Sequence, residues 1–128
     1  MAKEISNVIF DLALNKITSC TSCQVRTSAD AVLVDLVTNS VTLDSGNFGS
    51  VAEKSGGGRQ IQCLSSAASD MKAISVSSAG SAIRVAIGIS SASSMVDYVV
   101  AELSSAVALA ASDQINLGTF IVGFVDPT

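Results

Sequence analysis

Histidine and tryptophan are absent from this 128-residue chain. Without histidine, Ser-His-Asp and Cys-His arrangements are excluded, and so is the commonest general base near neutral pH. The carboxylates are spread along the chain, and nothing in the sequence places two of them in one cleft, so we expect no catalytic site. Aromatic residues make up only 4% of the chain, which argues against a platform on which sugars or bases would stack.

Charge is also scarce. Charged residues make up 14% of the chain, against about 25% in typical soluble domains. The seven Lys and Arg residues do not cluster and the net charge is −4, so the basic stripe that nucleic-acid binding requires is missing. The surface must instead carry Ser, Thr, Ala and Val, which suits packing against copies of the same chain or a larger assembly. The alternative is a small, neutral, Ser-coated monomer.

The sequence also lacks long apolar runs and a secretory signal. Ser, Asp or Gly interrupts every apolar run before it reaches the ~20 residues that span a bilayer. The first residues lack the succession of charged, apolar and small residues that marks a signal. We therefore expect a protein that is made in a cytoplasm and neither secreted nor inserted into a membrane. Its length favours a single domain over residues 1–128.

The clearest pattern that is present lies in residues 81–90, SAIRVAIGIS. Aliphatic side chains alternate there with Arg84, Ala86 and Gly88, and this period of two predicts a half-buried, central strand. Because Ala86 and Gly88 leave this second face almost without side-chain bulk, we expect another layer of protein to lie close against it. That layer could come from the same chain or from a neighbouring subunit.

Similar segments recur at short spacing, separated by Ser, Gly and Asp turns. They predict an all-β protein with about eight strands, arranged as an antiparallel β-sandwich or a jelly roll, with a possible short helix. Two hairpins are expected, one over residues 31–43 and one in which residues 71–77 pair with residues 82–89. A turn at Ser104 and Ser105 should end one strand and begin the next.

Two segments are compatible with either a strand or a helix. The apolar positions of residues 5–17 show helical spacing, with capping residues available at its start. They alternate equally well, and the β-branched residues and Phe between Val8 and Phe10 favour a strand. In residues 95–111, Ala, Leu and Glu favour a helix, whereas alternating Val and Tyr residues favour strands.

The three cysteines, Cys20, Cys23 and Cys63, include a CxxC pair. A structural zinc site normally has four Cys or His ligands, so a carboxylate or a second subunit would have to complete one here. A thioredoxin-like site needs the pair at a helix N-terminus beside a βαβ unit, and the surroundings here are polar and extended. We favour small turn residues in a reducing compartment, and we expect no metal and no cofactor.

The one low-complexity element is SGGGR, which is Ser55, Gly56, Gly57, Gly58 and Arg59. It lacks the Gly-Lys-Ser/Thr ending of a P-loop and the spacing of a dinucleotide site, and three successive glycines predict a mobile loop. We expect it to become ordered against a neighbouring subunit. The N-terminal segment is the other candidate assembly contact, because it too is not expected to become ordered without contacts from elsewhere. Its residues are Met1, Ala2, Lys3, Glu4 and Ile5.

A histidine-free chain rich in Ser, Ala and Val, with a RVAIG strand, a short Ser-rich loop, a VDYVVAEL strand and a closing LGTFIVGFVD strand, resembles the small virion proteins of tailed bacteriophages. Within that group it is most similar to capsid decoration or cement proteins. The resemblance covers residues 71–128 through composition and strand rhythm. It implies a virion protein that forms a homo-oligomer, with a trimer favoured, and that binds the major capsid protein or another virion protein without catalytic residues. The alternative is a tail or fibre module that recognises a receptor or glycan, for which Phe48 and Tyr98 are the candidate exposed aromatics.

Overall fold

The computed structural model describes residues 6–54, 57–64, 74–91, 94–117 and 120–124. Within these residues the chain forms one α-helix, two short 3-10 helices and nine strands, and every strand pairing is antiparallel. The predicted all-β, sandwich-like fold with a short helix is therefore confirmed. The helix is α1 (Asn7–Ile17), and the strands are β1 (Ser22–Arg26), β2 (Val32–Asp35), β3 (Ala52–Glu53), β4 (Arg59–Cys63), β5 (Ile74–Ser75), β6 (Gly80–Ser91), β7 (Ser94–Leu109), β8 (Gln114–Ile115) and β9 (Phe120–Phe124).

The strands form three sheets around one apolar core. The largest has the order β2-β1-β6-β7, the second has the order β3-β4-β9, and β5 pairs with β8. The core takes side chains from both larger sheets and from α1, among them Leu14, Val34, Ile61 and Ile87. The expected central position of the strand at residues 81–90 is confirmed, because β6 lies between β1 and β7.

The strand that we favoured for residues 5–17 is wrong, because residues 7–17 are helical. The hydroxyl of Ser6 caps the helix by accepting a hydrogen bond from the backbone N–H of Val8, as Ser commonly does at this position. The side chains of Phe10, Leu14 and Ile17 are buried. Their spacing of four and three residues places them on one face of a helix, whereas a strand would divide them between two faces.

The hairpin expected over residues 31–43 does not form. Strand β2 pairs with β1 instead, and the chain then turns through a 3-10 segment, Val37–Asn39. Asp35 shapes this turn, since its carboxylate accepts from the N–H of Val37 and its carbonyl oxygen accepts from Asn39. These local hydrogen bonds compete with strand pairing, so the chain leaves the sheet where the hairpin partner was expected.

The second expected hairpin is also wrong. Residues 74 and 75 pair with β8 rather than with β6, while residues 71–73 lie outside the described residues. Strand β6 instead forms a hairpin with β7, closed at the pair Ser91 and Ser94. Strand β1 occupies the other edge of β6 at residues 84–88, so this edge is not available there to residues 74–77.

The turn expected at Ser104 and Ser105 is absent, since β7 continues from residue 94 to residue 109. The extra residues are absorbed by a register irregularity between Ala82 and Arg84 of β6. A second irregularity lies between Ile87 and Gly88, where β7 approaches closely. A Cβ atom at position 88 would lie 1.9 Å from the carbonyl oxygen of Val96, so this position requires glycine.

Candidate interaction surface

The Gly-rich segment connects β3 to β4. Gly57 and Gly58 have φ values of 107° and 101°, which glycine adopts without steric cost. Hydrogen bonds join the N–H of Lys54 to the oxygen of Gly58 and the N–H of Gly57 to the oxygen of Lys54. Arg59 belongs to β4, and its Nε lies 2.8 Å from Oδ1 of Asp11 in α1. This end of the segment is thus held by contacts within the chain.

The other candidate assembly contacts, residues 1–5 together with Ser55 and Gly56, lie outside the described residues. Their contact with neighbouring subunits stays a prediction.

The three cysteines are free, and all three are buried in the core. Burial raises the pKa of Cys20 and of Cys63 to about 11, and that of Cys23 to about 12. The thiols are therefore protonated near neutral pH, and a protonated thiol is a poor nucleophile and a poor metal ligand. The part of the chain that the structure describes contains no group of three or more His, Cys, Asp or Glu side chains that could hold a metal. Cys23 lies within β1 rather than in the expected turn.

A polar network lies across the face of the four-stranded sheet that carries Arg84, Ala86 and Gly88. At its centre Arg26 is 7% exposed. Both of its terminal nitrogens donate to the carboxylate of Asp97 at 2.8 Å, and its Nε donates to the side-chain oxygen of Gln24 at 2.9 Å. This bidentate contact raises the pKa of Arg26 and lowers that of Asp97 from their ordinary values, because each charged form is stabilised by its partner.

Asp30 joins the two arginines that oppose each other on β1 and β6. Arg26 and Arg84 are paired in register, and like charges at such positions repel. The Asp30 carboxylate lies 3.9 Å from Nη1 of Arg26 and 3.2 Å from Nη1 of Arg84, while Glu102 lies 3.5 Å from Nε of Arg84. The side chains of this network thus come from β1, β6 and β7 and from Asp30, and they lie on the face of the sheet that carries Ala86.

Most of the exposed aliphatic side chains among the described residues fall into two groups, and Val32, Val37 and Ile121 lie outside them. The first, called the helix patch, consists of Val8, Ile9 and Leu12, each more than half exposed. The second, called the β7 edge, follows the outermost strand of the four-stranded sheet. Its exposed members are Val96, Val100, Leu103 and Val107.

Two cavities border β7. A pocket of about 410 Å³ lies beside its second half and is lined mainly by apolar side chains, including Val85, Val107, Ile115 and Phe120. A more open groove of about 570 Å³ lies between α1 and its first half, where Lys16 and Tyr98 contribute to the lining. Among the described residues that line them, neither cavity combines the paired titratable groups that acid-base catalysis needs.

Comparisons with protein-family models, curated proteins and solved structures give no match. The resemblance to phage decoration proteins therefore rests on the composition and strand rhythm of residues 71–128. The helix of eleven residues is too short to cross a bilayer, and the described residues include no other α-helix.

Proposed function

We propose that this chain is a virion structural protein of the capsid decoration or cement type. It acts as a homo-oligomer, with a trimer favoured, and stabilises a shell by binding the major capsid protein or another virion protein. One observation carries the proposal: the described surface is rich in exposed aliphatic side chains, while many of its charged groups are already paired within the chain.

Docking is favoured by the apolar surface that it covers and opposed by the charges that it desolvates. Covering apolar surface contributes ~25 cal/mol per Å², and the contribution is repeated at every symmetry-related contact of a shell. Desolvating a free charge opposes docking. Arginines that already contact carboxylates of the same chain, such as Arg26 and Arg59, lose less on docking than free ones.

A glycan-binding fibre module is the alternative, and the aromatic residues do not favour it. Phe48 is buried in the core, and Tyr98 is half-buried beside the groove against α1. Stacking on sugars requires an exposed aromatic face. Among the described side chains, neither aromatic that the sequence offered for this role is exposed enough to serve it.

The proposal is tested by sedimenting the purified chain with empty capsid shells of the virus that carries it. The chain should appear in the shell pellet and raise the temperature at which the shells break. A variant with Ile9→Glu and Leu12→Glu in the helix patch should bind more weakly, because two charges are added to an apolar contact surface. Val37→Glu is the matched control, since Val37 is also about half exposed but lies outside both surfaces. A wild-type chain that stays in the supernatant and leaves shell stability unchanged would contradict the proposal.

The Gly-rich segment offers a second test of the same function. Deleting Gly56, Gly57 and Gly58 should weaken assembly without unfolding the isolated domain, because the core lies elsewhere. Circular dichroism checks the fold and sedimentation checks assembly. Normal assembly of the deletion variant would remove this segment from the contact surface.

A further inference from the structure

The outer edge of β7 has no strand partner among the described residues. Strand β7 ends the order β2-β1-β6-β7, and its sixteen residues exceed the twelve of β6. An edge strand presents backbone N–H and C=O groups that another strand can satisfy. The partner that fits this chemistry is an extended strand.

The β7 edge also lacks the features that normally prevent strand addition. It contains no Lys, Arg or Pro, and charged or proline residues are the usual protection. Its two carboxylates, Asp97 and Glu102, are bound to Arg26 and Arg84 of the same chain. A second β7 can therefore approach without meeting a free charge on this strand.

The middle of β7 provides the regular geometry that pairing needs. Residues 99–102 pair in unbroken register with residues 84–87 of β6, and the two irregularities lie on either side of them. Val100 lies within this stretch and is 46% exposed. Residues 99–102 are therefore the part of the edge best prepared to receive a strand.

We propose that two copies of the chain join through this edge, with β7 antiparallel to β7 of the second copy about a two-fold axis at Val100. In this register Val100 opposes itself and Glu102 opposes Tyr98, so no carboxylate faces another. An axis at Ala101 would place Val100 opposite Glu102 instead. An antiparallel pair about a two-fold axis uses the same surface on both copies, so a single self-compatible edge is sufficient. This contact rests on the proposed function, because both require that the chain associates with itself. The contact either forms a dimer or joins two trimers.

The first test compares Val100→Lys with Val37→Lys by light scattering. Val37 is the matched control because it is 50% exposed and lies in the 3-10 turn after β2. The wild-type protein and Val37→Lys should contain an even number of copies, and Val100→Lys should halve the mass because two lysines would meet at the axis. Circular dichroism confirms that the variants remain folded. A wild-type protein that is monomeric or has an odd number of copies overturns the contact, as does a Val100→Lys variant with unchanged mass.

The second test fixes the register. Opposed residues in antiparallel strands have Cα atoms ~4.5–5.5 Å apart, which is within disulfide range. Val100→Cys should form an interchain disulfide with oxidised glutathione as the oxidant, whereas Val37→Cys should not. The native thiols should stay out of the reaction because they are buried. Failure of Val100→Cys to crosslink, or equal crosslinking of the control, overturns the two-fold axis at this residue.

The two proposals fail in different ways. A trimer that binds shells and is insensitive to Val100→Lys overturns the two-fold contact and leaves the decoration function intact. A chain that crosslinks at Val100 but does not bind shells supports the contact and overturns the function.

Discussion

Replacing Asp97 with Asn should destabilise the protein far more than replacing Glu102 with Gln. Both carboxylates lie on β7 and both contact an arginine on the same face of the sheet. They differ in burial, since the Asp97 side chain is 34% exposed and faces an arginine side chain only 9% exposed, whereas Glu102 is 65% exposed. The comparison isolates the effect of burial on an ion pair.

The expected loss of stability follows from the contacts that Arg26 loses in Asp97→Asn. In Asp97→Asn the guanidinium keeps its bond to Gln24 and the distant Asp30, but it loses a charged, bidentate partner. Leaving a buried charge without its partner costs ~3–5 kcal/mol, and partial solvation of Asp97 reduces this to ~2 kcal/mol, within the range of hydrogen bonds to charged groups. Glu102→Gln removes an exposed pair and should cost about 0–1 kcal/mol.

Urea unfolding measures both costs, and pH provides a second check. Hydrogen bonds from Arg26 hold the pKa of Asp97 below its ordinary value. A lowered folded-state pKa stabilises the protein above the unfolded pKa of ~3.9, and this contribution is lost as pH falls through the folded-state value. The difference between wild type and Asp97→Asn should thus be full at pH 7 and shrink below about pH 4. Equal costs for the two substitutions, or a difference that does not change with pH, would refute the reasoning.

Three further predictions concern the core. Leu14→Ala should lower the free energy of unfolding in urea by ~2–5 kcal/mol, because it leaves a cavity at a buried position. Leu12→Ala, on the exposed side of α1, should change it by less than about 0.5 kcal/mol. Equal effects would contradict the orientation of the helix. Gly88→Ala should lower the melting temperature, since its Cβ would collide with the carbonyl oxygen of Val96, and an unchanged value would show that β7 lies farther away. All three thiols should resist Ellman's reagent at pH 8 in the folded protein and react in denaturant, and rapid labelling of the folded protein would show that they are accessible.

The strands of the central sheet were predictable where one face is buried. Residues 81–90 alternate because Val85 and Ile87 of β6 face the core, and the period of two is a direct consequence; Ala86 and Gly88 on the other face are buried as well. The partners of β6, which are β1 and β7, could not be predicted, because the alternation of a strand does not say which other strands lie beside it. The short connection between Ser91 and Ser94 places β7 beside β6.

The strand predicted for residues 5–17 was wrong because helix α1 is apolar on both sides. Phe10, Leu14 and Ile17 face the core, while Val8 and Leu12 are exposed, so the sequence has no clear polar face. The exposed residues are the ones that obscured the pattern, and they now form the helix patch. Exposed apolar residues on a helix thus weaken the signal from which a helix is predicted.

The polar network was beyond sequence reasoning for a different reason. Arg26 and Asp97 are separated by 71 positions, and only the antiparallel order β1-β6-β7 brings them together. A carboxylate on a strand, such as Asp97, ordinarily indicates an outward-facing position, and the sequence does not say which arginine it will contact.

The most direct test of the central claim is the sedimentation of the purified chain with and without capsid shells. An assembly protein should sediment alone as a homo-oligomer and should move into the shell fraction when shells are added. A chain that remains monomeric at high concentration and stays out of the shell fraction would contradict the account.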